Sequence, residues 1–225
     1  MTGTTYNRRD MVKDGYFYGL GFGVVAAVVF VLTHSLLLVL IPVLLAAFFL
    51  WFFRDPERVI PTGAGEIVSP GDGVVTDTEL IETVDGPRMR MSIFLNVFNV
   101  HVNRVPVSGT VTRVEYIKGA FLNAMNPKSG TENEQSLIVI DAGGYEIAFK
   151  QIAGLLARRI VCNLVAGEKV VRGQRMGLIK FGSRVDVVMP VEAKLLVSKG
   201  VKVSGGSTVL AVLPLGLMGG SDVVA

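Results

Sequence analysis

The chain has 225 residues, half of them hydrophobic, with 18% charged side chains, a formal charge of +3 and a single cysteine, Cys162. One cysteine excludes an internal disulfide, and a lone thiol reads as a small buried hydrophobe rather than a reactive group. The sequence pI is about 9.1, but the aromatic residues crowd into an apolar N-terminal block instead of interleaving with basic ones. That pattern argues against nucleic acid and favours an anionic lipid surface as the partner of Arg8, Arg9, Arg54 and Arg58.

Residues 1–15 are read as a polar cytoplasmic tail. From Tyr16 to Phe53 there is no formal charge. About 20 residues cross a hydrocarbon core, so the block is too long for one span. It reads as a membrane helical hairpin over 16–53: one arm from Tyr16 to Leu32, a turn at Thr33-His34-Ser35, and a second arm from Leu36 to Phe53. Each arm is roughly 26 Å long at about 1.5 Å per residue, short for a span, so a loop that dips without crossing stays open. Arg8, Arg9 and Lys13 precede the hairpin and Arg54 and Arg58 follow it, which puts both ends, and the domain that follows, on the cytoplasmic face of the cell membrane. Tyr16, Phe17, Tyr18, Trp51, Phe52 and Phe53 then form an aromatic belt at one interface.

Residues 54–61 hold Pro56 and Pro61, which stop the second helix, and read as a linker. Residues 62–213 are short β-rich runs punctuated by glycine, with strands expected at 65–68, 73–79, 88–94, 101–105, 109–116, 136–141, 145–152, 160–164, 177–181, 184–189, 193–197 and 208–213. Such spacing predicts a mainly β sandwich or barrel. Two kinds of segment recur loosely. Ser69-Pro70-Gly71-Asp72-Gly73-Val74-Val75 is echoed by Val105-Pro106-Val107-Ser108-Gly109-Thr110-Val111, and the Gly-x-x-Val-x-x-Gly run at 167–173 by that at 200–206, a turn found in lipoyl-like hybrid barrels. Residues 214–225 read as a flexible tail.

Few side chains offer chemistry. Gly182-Ser183 stands between two strand-like runs. A serine hydroxyl needs a base and a reachable carbonyl, and a glycine can present that carbonyl, although Gly-Ser by itself is ordinary turn sequence. His101 is one of two histidines. On an extended strand Asn99, His101 and Asn103 share one face and Phe98, Val100 and Val102 the other, as on the wall of a site or on any half-exposed strand. Asp72, between Gly71 and Gly73, is either a turn aspartate or a functional one, and Asp186 is expected to be structural. Arg158, Arg159 and Lys150 suit a phosphate or carboxylate, with plain surface charge as the simpler account. No metal-ligand spacing, dinucleotide loop or phosphate loop is present.

Taken in order, Arg54-Asp55-Pro56-Glu57-Arg58, Ser69-Pro70-Gly71-Asp72-Gly73, the run from Phe98 to Gly109 and the run from Lys180 to Asp186 resemble the phosphatidylserine decarboxylase family in its short bacterial and archaeal form. The likeness extends from about Arg54 to Leu196. It implies a β-rich catalytic core of hybrid-barrel type behind the membrane hairpin. It also implies a proenzyme that cuts itself between Gly182 and Ser183 into a β chain (1–182) and an α chain (183–225), which stay together as a heterodimer.

Ser183 then becomes a pyruvoyl group, which forms a Schiff base with the amine of phosphatidylserine and draws electrons as CO₂ leaves; neither metal nor pyridoxal phosphate is needed. By the same resemblance His101 is the acid/base and Asp72 orients it. The family's His-x-x-His element carries Arg104 in place of its second histidine here, which leaves the base for self-cleavage open. Homo-oligomerisation is also left open. The rival readings are a membrane-anchored hybrid-barrel adaptor without catalysis, which predicts an uncut chain, and a pyruvoyl decarboxylase of a soluble amino acid, which leaves the hairpin without a purpose.

Overall fold

The computed structural model describes residues 8–155, 159–179 and 182–214, with 8–11 as backbone only. Residues 215–225 of the tail expected at 214–225, and the first seven residues, lie outside it.

Helix α1 (Arg8–Thr33) and helix α2 (Leu36–Phe52) form the hairpin. Helix α1 starts within the polar segment, so residues 8–15 are helical and the first arm begins before Tyr16. The chain reverses at His34, whose φ of +49° is a left-handed turn conformation. The Thr33 hydroxyl donates to Val29 O at 2.7 Å and accepts from Ser35 N–H at 3.2 Å, which closes the end of α1. Between the arms Tyr18 and Phe22 pack on Phe49 with ring centroids 4.9 and 5.4 Å apart. Outward-facing Phe17, Leu20, Leu36 and Leu37 are 73–76% exposed. Val12–Thr33 is long and apolar enough to cross a membrane, and α2 is a shorter apolar helix of 17 residues. A surface this apolar is stable against hydrocarbon rather than water, so the hairpin is built for membrane association.

From Arg58 onward the chain is a separate β-rich unit. Its strands are β1 (Glu66–Val68), β2 (Gly73–Thr83), β3 (Gly86–Leu95), β4 (Val102–Arg104), β5 (Gly109–Ile117), β6 (Gln135–Asp141), β7 (Glu146–Ile152), β8 (Ile160–Cys162), β9 (Lys169–Val170), β10 (Arg175–Ile179), β11 (Ser183–Pro190), β12 (Lys194–Leu195), β13 (Lys202–Val203) and β14 (Val209–Val212). Among the described residues they make one eight-stranded sheet, ordered β13-β2-β3-β11-β7-β6-β5-β9, and two three-stranded sheets, β1-β14-β12 and β4-β10-β8. The named strands pair antiparallel. The large sheet curls over a core of Ile67, Met91, Ile93, Ile138, Phe149 and Val187, all fully buried. Alternation along β11 puts Val185, Val187 and Met189 on this core face and Arg184 and Asp186 on the other.

The loose repeats of the sequence are a structural duplication. Strands β1, β2 and β3 with β12, β13 and β14 repeat the arrangement of β4, β5 and β6 with β8, β9 and β10. Both copies bulge at matching places, Val75/Asp77 and Val111/Arg113. In one copy Gly200 N–H donates to Val75 O (2.7 Å) and Gly206 N–H to Ser69 O (2.7 Å); in the other Gly167 N–H donates to Val111 O and Gly173 N–H to Val105 O, both at 2.8 Å. The halves join where β11 pairs with β7, Asp186 lying opposite Lys150. Gly182-Ser183 thus lies after β10, the last strand of one half, and at the start of β11, the strand by which the other half joins it.

Candidate active site

Topology brings His101 to Gly182-Ser183. His101 directly precedes β4, which pairs with β10, and Ile179 N–H at the end of β10 donates to His101 O at 3.3 Å. Its ring is buried, 2% exposed. Gly182 N–H donates to His101 Nε2 at 3.1 Å, and Nδ1 lies 3.0 Å from Asn99 O. Nε2 is therefore the accepting nitrogen and Nδ1 carries the proton, which it gives to Asn99 O: a neutral imidazole with its lone pair on the Gly182 side.

Gly182 has φ +64°, a conformation that disfavours a side chain. Its carbonyl lies against Gly154, just past β7: a Cβ at residue 154 would be 2.3 Å from Gly182 O. Ser183 opens β11, is wholly buried, and its Oγ has no hydrogen-bond partner among the described residues. Most buried hydroxyls are paired, so this one is notable. It belongs to the core face of the sheet, next to a chain of buried amides. Gln151 Nε2 donates to Asn103 Oδ1 at 2.9 Å, and Asn103 Nδ2 donates to Pro70 O at 3.3 Å.

The other expected site residues are placed differently. The extended face shared by Asn99, His101 and Asn103 is not formed: Asn99 ends a turn in which its Oδ1 accepts Asn96 N–H at 2.9 Å and Asn96 Oδ1 accepts Phe98 N–H at 2.8 Å. Asparagine side chains that bond nearby backbone favour a turn over a strand here. Asn103 is on β4, with both ends of its amide engaged by Pro70 and Gln151. The Asp72 carboxylate does not orient His101. It receives Arg58 Nη2 at 2.8 and 3.0 Å and Gly205 N–H at 2.8 Å, because the turn that carries it docks against the 204–206 turn. Arg159 is exposed, and Arg158 lies outside the described residues.

On the opposite face of the sheet Arg184 makes a buried bidentate pair with Asp186, at 2.6 and 2.9 Å, and donates to Ser92 Oγ at 2.8 Å. This agrees with the structural role expected for Asp186 and fixes the residue next to Ser183. Lys150 faces the same pair, and burial pulls its ammonium below the ordinary lysine range, with Asp186 opposing the shift. Burial also pushes the Cys162 thiol up, which suits a packing role.

Gly154 and Gln151 are the residues that sequence reasoning passed over. The signals were a glycine directly after a strand-like run and a glutamine at the parity of Ile147 and Phe149, where an apolar residue is expected.

The sequence model of the phosphatidylserine decarboxylase family matches residues 45–211. A phosphatidylserine decarboxylase proenzyme of Paraburkholderia xenovorans is 51% identical over 176 residues, covering 76% of this chain and 82% of that protein. A protein of the same name from Burkholderia pseudomallei is 51% identical over 174 residues, covering 76% of this chain and 81% of its own. With the family matched from the second helix through β14, and with relatives half identical to it, this chain belongs to the phosphatidylserine decarboxylase family.

Proposed function

We propose that the chain is a proenzyme that cuts itself between Gly182 and Ser183 and then decarboxylates phosphatidylserine to phosphatidylethanolamine and CO₂. The single observation that carries the cleavage position is the buried, unpartnered Ser183 Oγ next to a positive-φ glycine whose amide is held by His101. Ser183 Oγ attacks the Gly182 carbonyl carbon, the C–N bond breaks, and an ester replaces the amide. Loss of the Ser183 α-proton and departure of the Gly182 carboxylate leave an enamine, which tautomerises to the imine; water then replaces the imine nitrogen, which leaves as ammonia. One water enters and one ammonia departs, with no oxidant or reductant. His101 Nε2 receives the hydroxyl proton and passes it to the Ser183 nitrogen as the C–N bond breaks, and the same atom would supply the proton that replaces the lost carboxylate on the substrate. Nδ1–H on Asn99 O keeps the ring in the required tautomer.

The residues fit a pyruvoyl group at position 183. The site is dry, and the strand that bears it is anchored one residue on by the Arg184–Asp186 pair. When formed, that group supplies the electron sink for decarboxylation. Fragment 183–225 includes β11 to β14, hydrogen-bonded to β3, β7, β2 and β1, so the two fragments stay joined as an α/β heterodimer after cleavage. Asp72 supports the site by pinning its turn to Arg58 and Gly205. The basic residues flanking the hairpin favour the cytoplasmic face of the cell membrane for the catalytic unit.

The test is a gel and an intact mass. The wild-type protein runs as two fragments whose masses sum to the uncut chain plus water minus ammonia, and Ser183→Ala leaves one band without decarboxylase activity. An uncut wild-type chain that still releases CO₂ from phosphatidylserine refutes the proposal.

A further inference from the structure

We infer that Gln151 is a substrate-binding residue whose Oε1 accepts a hydrogen bond from the primary amine of the phospholipid headgroup, beside the terminus made from Ser183. The inference rests on the function proposed above. Gln151 is on β7, fully buried, opposite Val185 of β11. Opposed residues share a face, so Gln151 and Ser183, two positions before Val185, are diagonal neighbours on the core side.

The orientation of its amide follows from its partners. Val161 O can only accept, and it receives Gln151 Nε2 at 3.3 Å. Asn103 spends its NH₂ on Pro70 O, so it turns Oδ1 to Gln151 and accepts at 2.9 Å. Both hydrogens of the Gln151 amide are thereby used, and the carbonyl oxygen is left over. Among the described residues nothing donates to Oε1, and on neighbouring β11 the buried side-chain atom without a partner is Ser183 Oγ.

A buried acceptor held in place by its own NH₂ group, yet left unpaired, is costly unless a donor arrives. In the uncut chain position 183 can donate or accept. After cleavage it presents only a carbonyl oxygen, so it and Gln151 Oε1 both call for hydrogens. Of the charged groups on a phosphatidylserine headgroup, carboxylate and phosphate bring acceptors, and the amine alone brings several N–H donors.

The test uses full-length processed protein in detergent, titrated calorimetrically with dihexanoyl phosphatidylethanolamine and with dihexanoyl phosphatidylcholine, whose quaternary ammonium has no N–H. Wild type prefers the first. Gln151→Met still self-cleaves, since Gly182, Ser183 and His101 are untouched. It binds phosphatidylethanolamine about tenfold or more weakly, the loss of one charge-assisted hydrogen bond, with phosphatidylcholine affinity unchanged. Gln151→Leu, another apolar replacement of similar size, weakens phosphatidylethanolamine binding to the same extent. Unchanged phosphatidylethanolamine affinity in Gln151→Met, or equal loss for both lipids, overturns the inference. Should that variant fail to fold, unchanged phosphatidylethanolamine affinity in Gln151→Leu overturns it. An uncut wild-type chain would instead sink the function on which the inference rests, and the gel separates the two failures.

Discussion

Replacing Gly154 by alanine tests whether the Gly182 carbonyl must sit where it does. The added Cβ would lie 2.3 Å from Gly182 O, 3.2 Å from Gly182 C and 3.4 Å from Ala124 Cβ. Ordinary carbon contacts start near 3.4 Å, so one side must give by about 1 Å, a displacement that can lower a positioned reaction about 10²-fold. The Gly154 side is the stiffer one: Ala153 N–H donates to Glu134 O at 2.9 Å, and Asn133 Nδ2 donates to Ala153 O at 2.7 Å. The Gly182 carbonyl therefore moves, away from the approach of Ser183 Oγ. The assay follows conversion of the 225-residue band into its two fragments after pulse expression, with thermal unfolding as a control for the fold. Self-cleavage slows about 100-fold in Gly154→Ala with the fold kept. A variant that cuts at the wild-type rate refutes the claim that this contact positions the scissile carbonyl.

Asp186→Ala removes one partner of a buried pair and leaves the Arg184 guanidinium with Ser92, so stability falls by about 3–5 kcal/mol, read as a shift of the urea midpoint at constant slope. Burial lowers the Lys150 pKa from the ordinary lysine value of 10.5, so the folded state disfavours its proton and the unfolded state binds more. Its destabilising effect is full below the folded pKa and fades as pH rises towards 10.5. Lys150→Met accordingly raises the melting temperature at neutral pH, and its advantage shrinks in alkaline buffer; an advantage that grows with pH would contradict this.

Much of the fold was legible because its signals are local. The uncharged block split at His34, the prolines after it and the glycine-punctuated β runs report hairpin, linker and sheet through composition and periodicity. The two strands that were missed, β9 and β13, have two residues each, too few for alternation to register, and both lie inside the Gly-x-x-Val-x-x-Gly turns that were noticed. The proposed site rests on Gly182, Ser183 and His101, which the resemblance to the family singled out and which the hydrogen bond from Gly182 N–H to His101 Nε2 brings together. It was misread at Asn99, where an asparagine-rich turn replaced the expected strand, and at Asp72, whose partners Arg58 and Gly205 lie 14 and 133 positions away in the chain.

By itself the sequence determined the apolar hairpin and the mainly β unit, because each depends on side chains that are neighbours along the backbone, while resemblance to the family, rather than local chemistry, singled out Gly182-Ser183 among the glycine-serine pairs. Only the tertiary structure decided which groups meet that pair. Strand pairing between β4 and β10 delivers the His101 lone pair to Gly182, the end of β7 sets Gly154 against the Gly182 carbonyl, and β7 beside β11 puts Gln151 next to Ser183. Those contacts are long-range hydrogen bonds and packing, and alternation along a single strand contains no record of which strand will lie alongside.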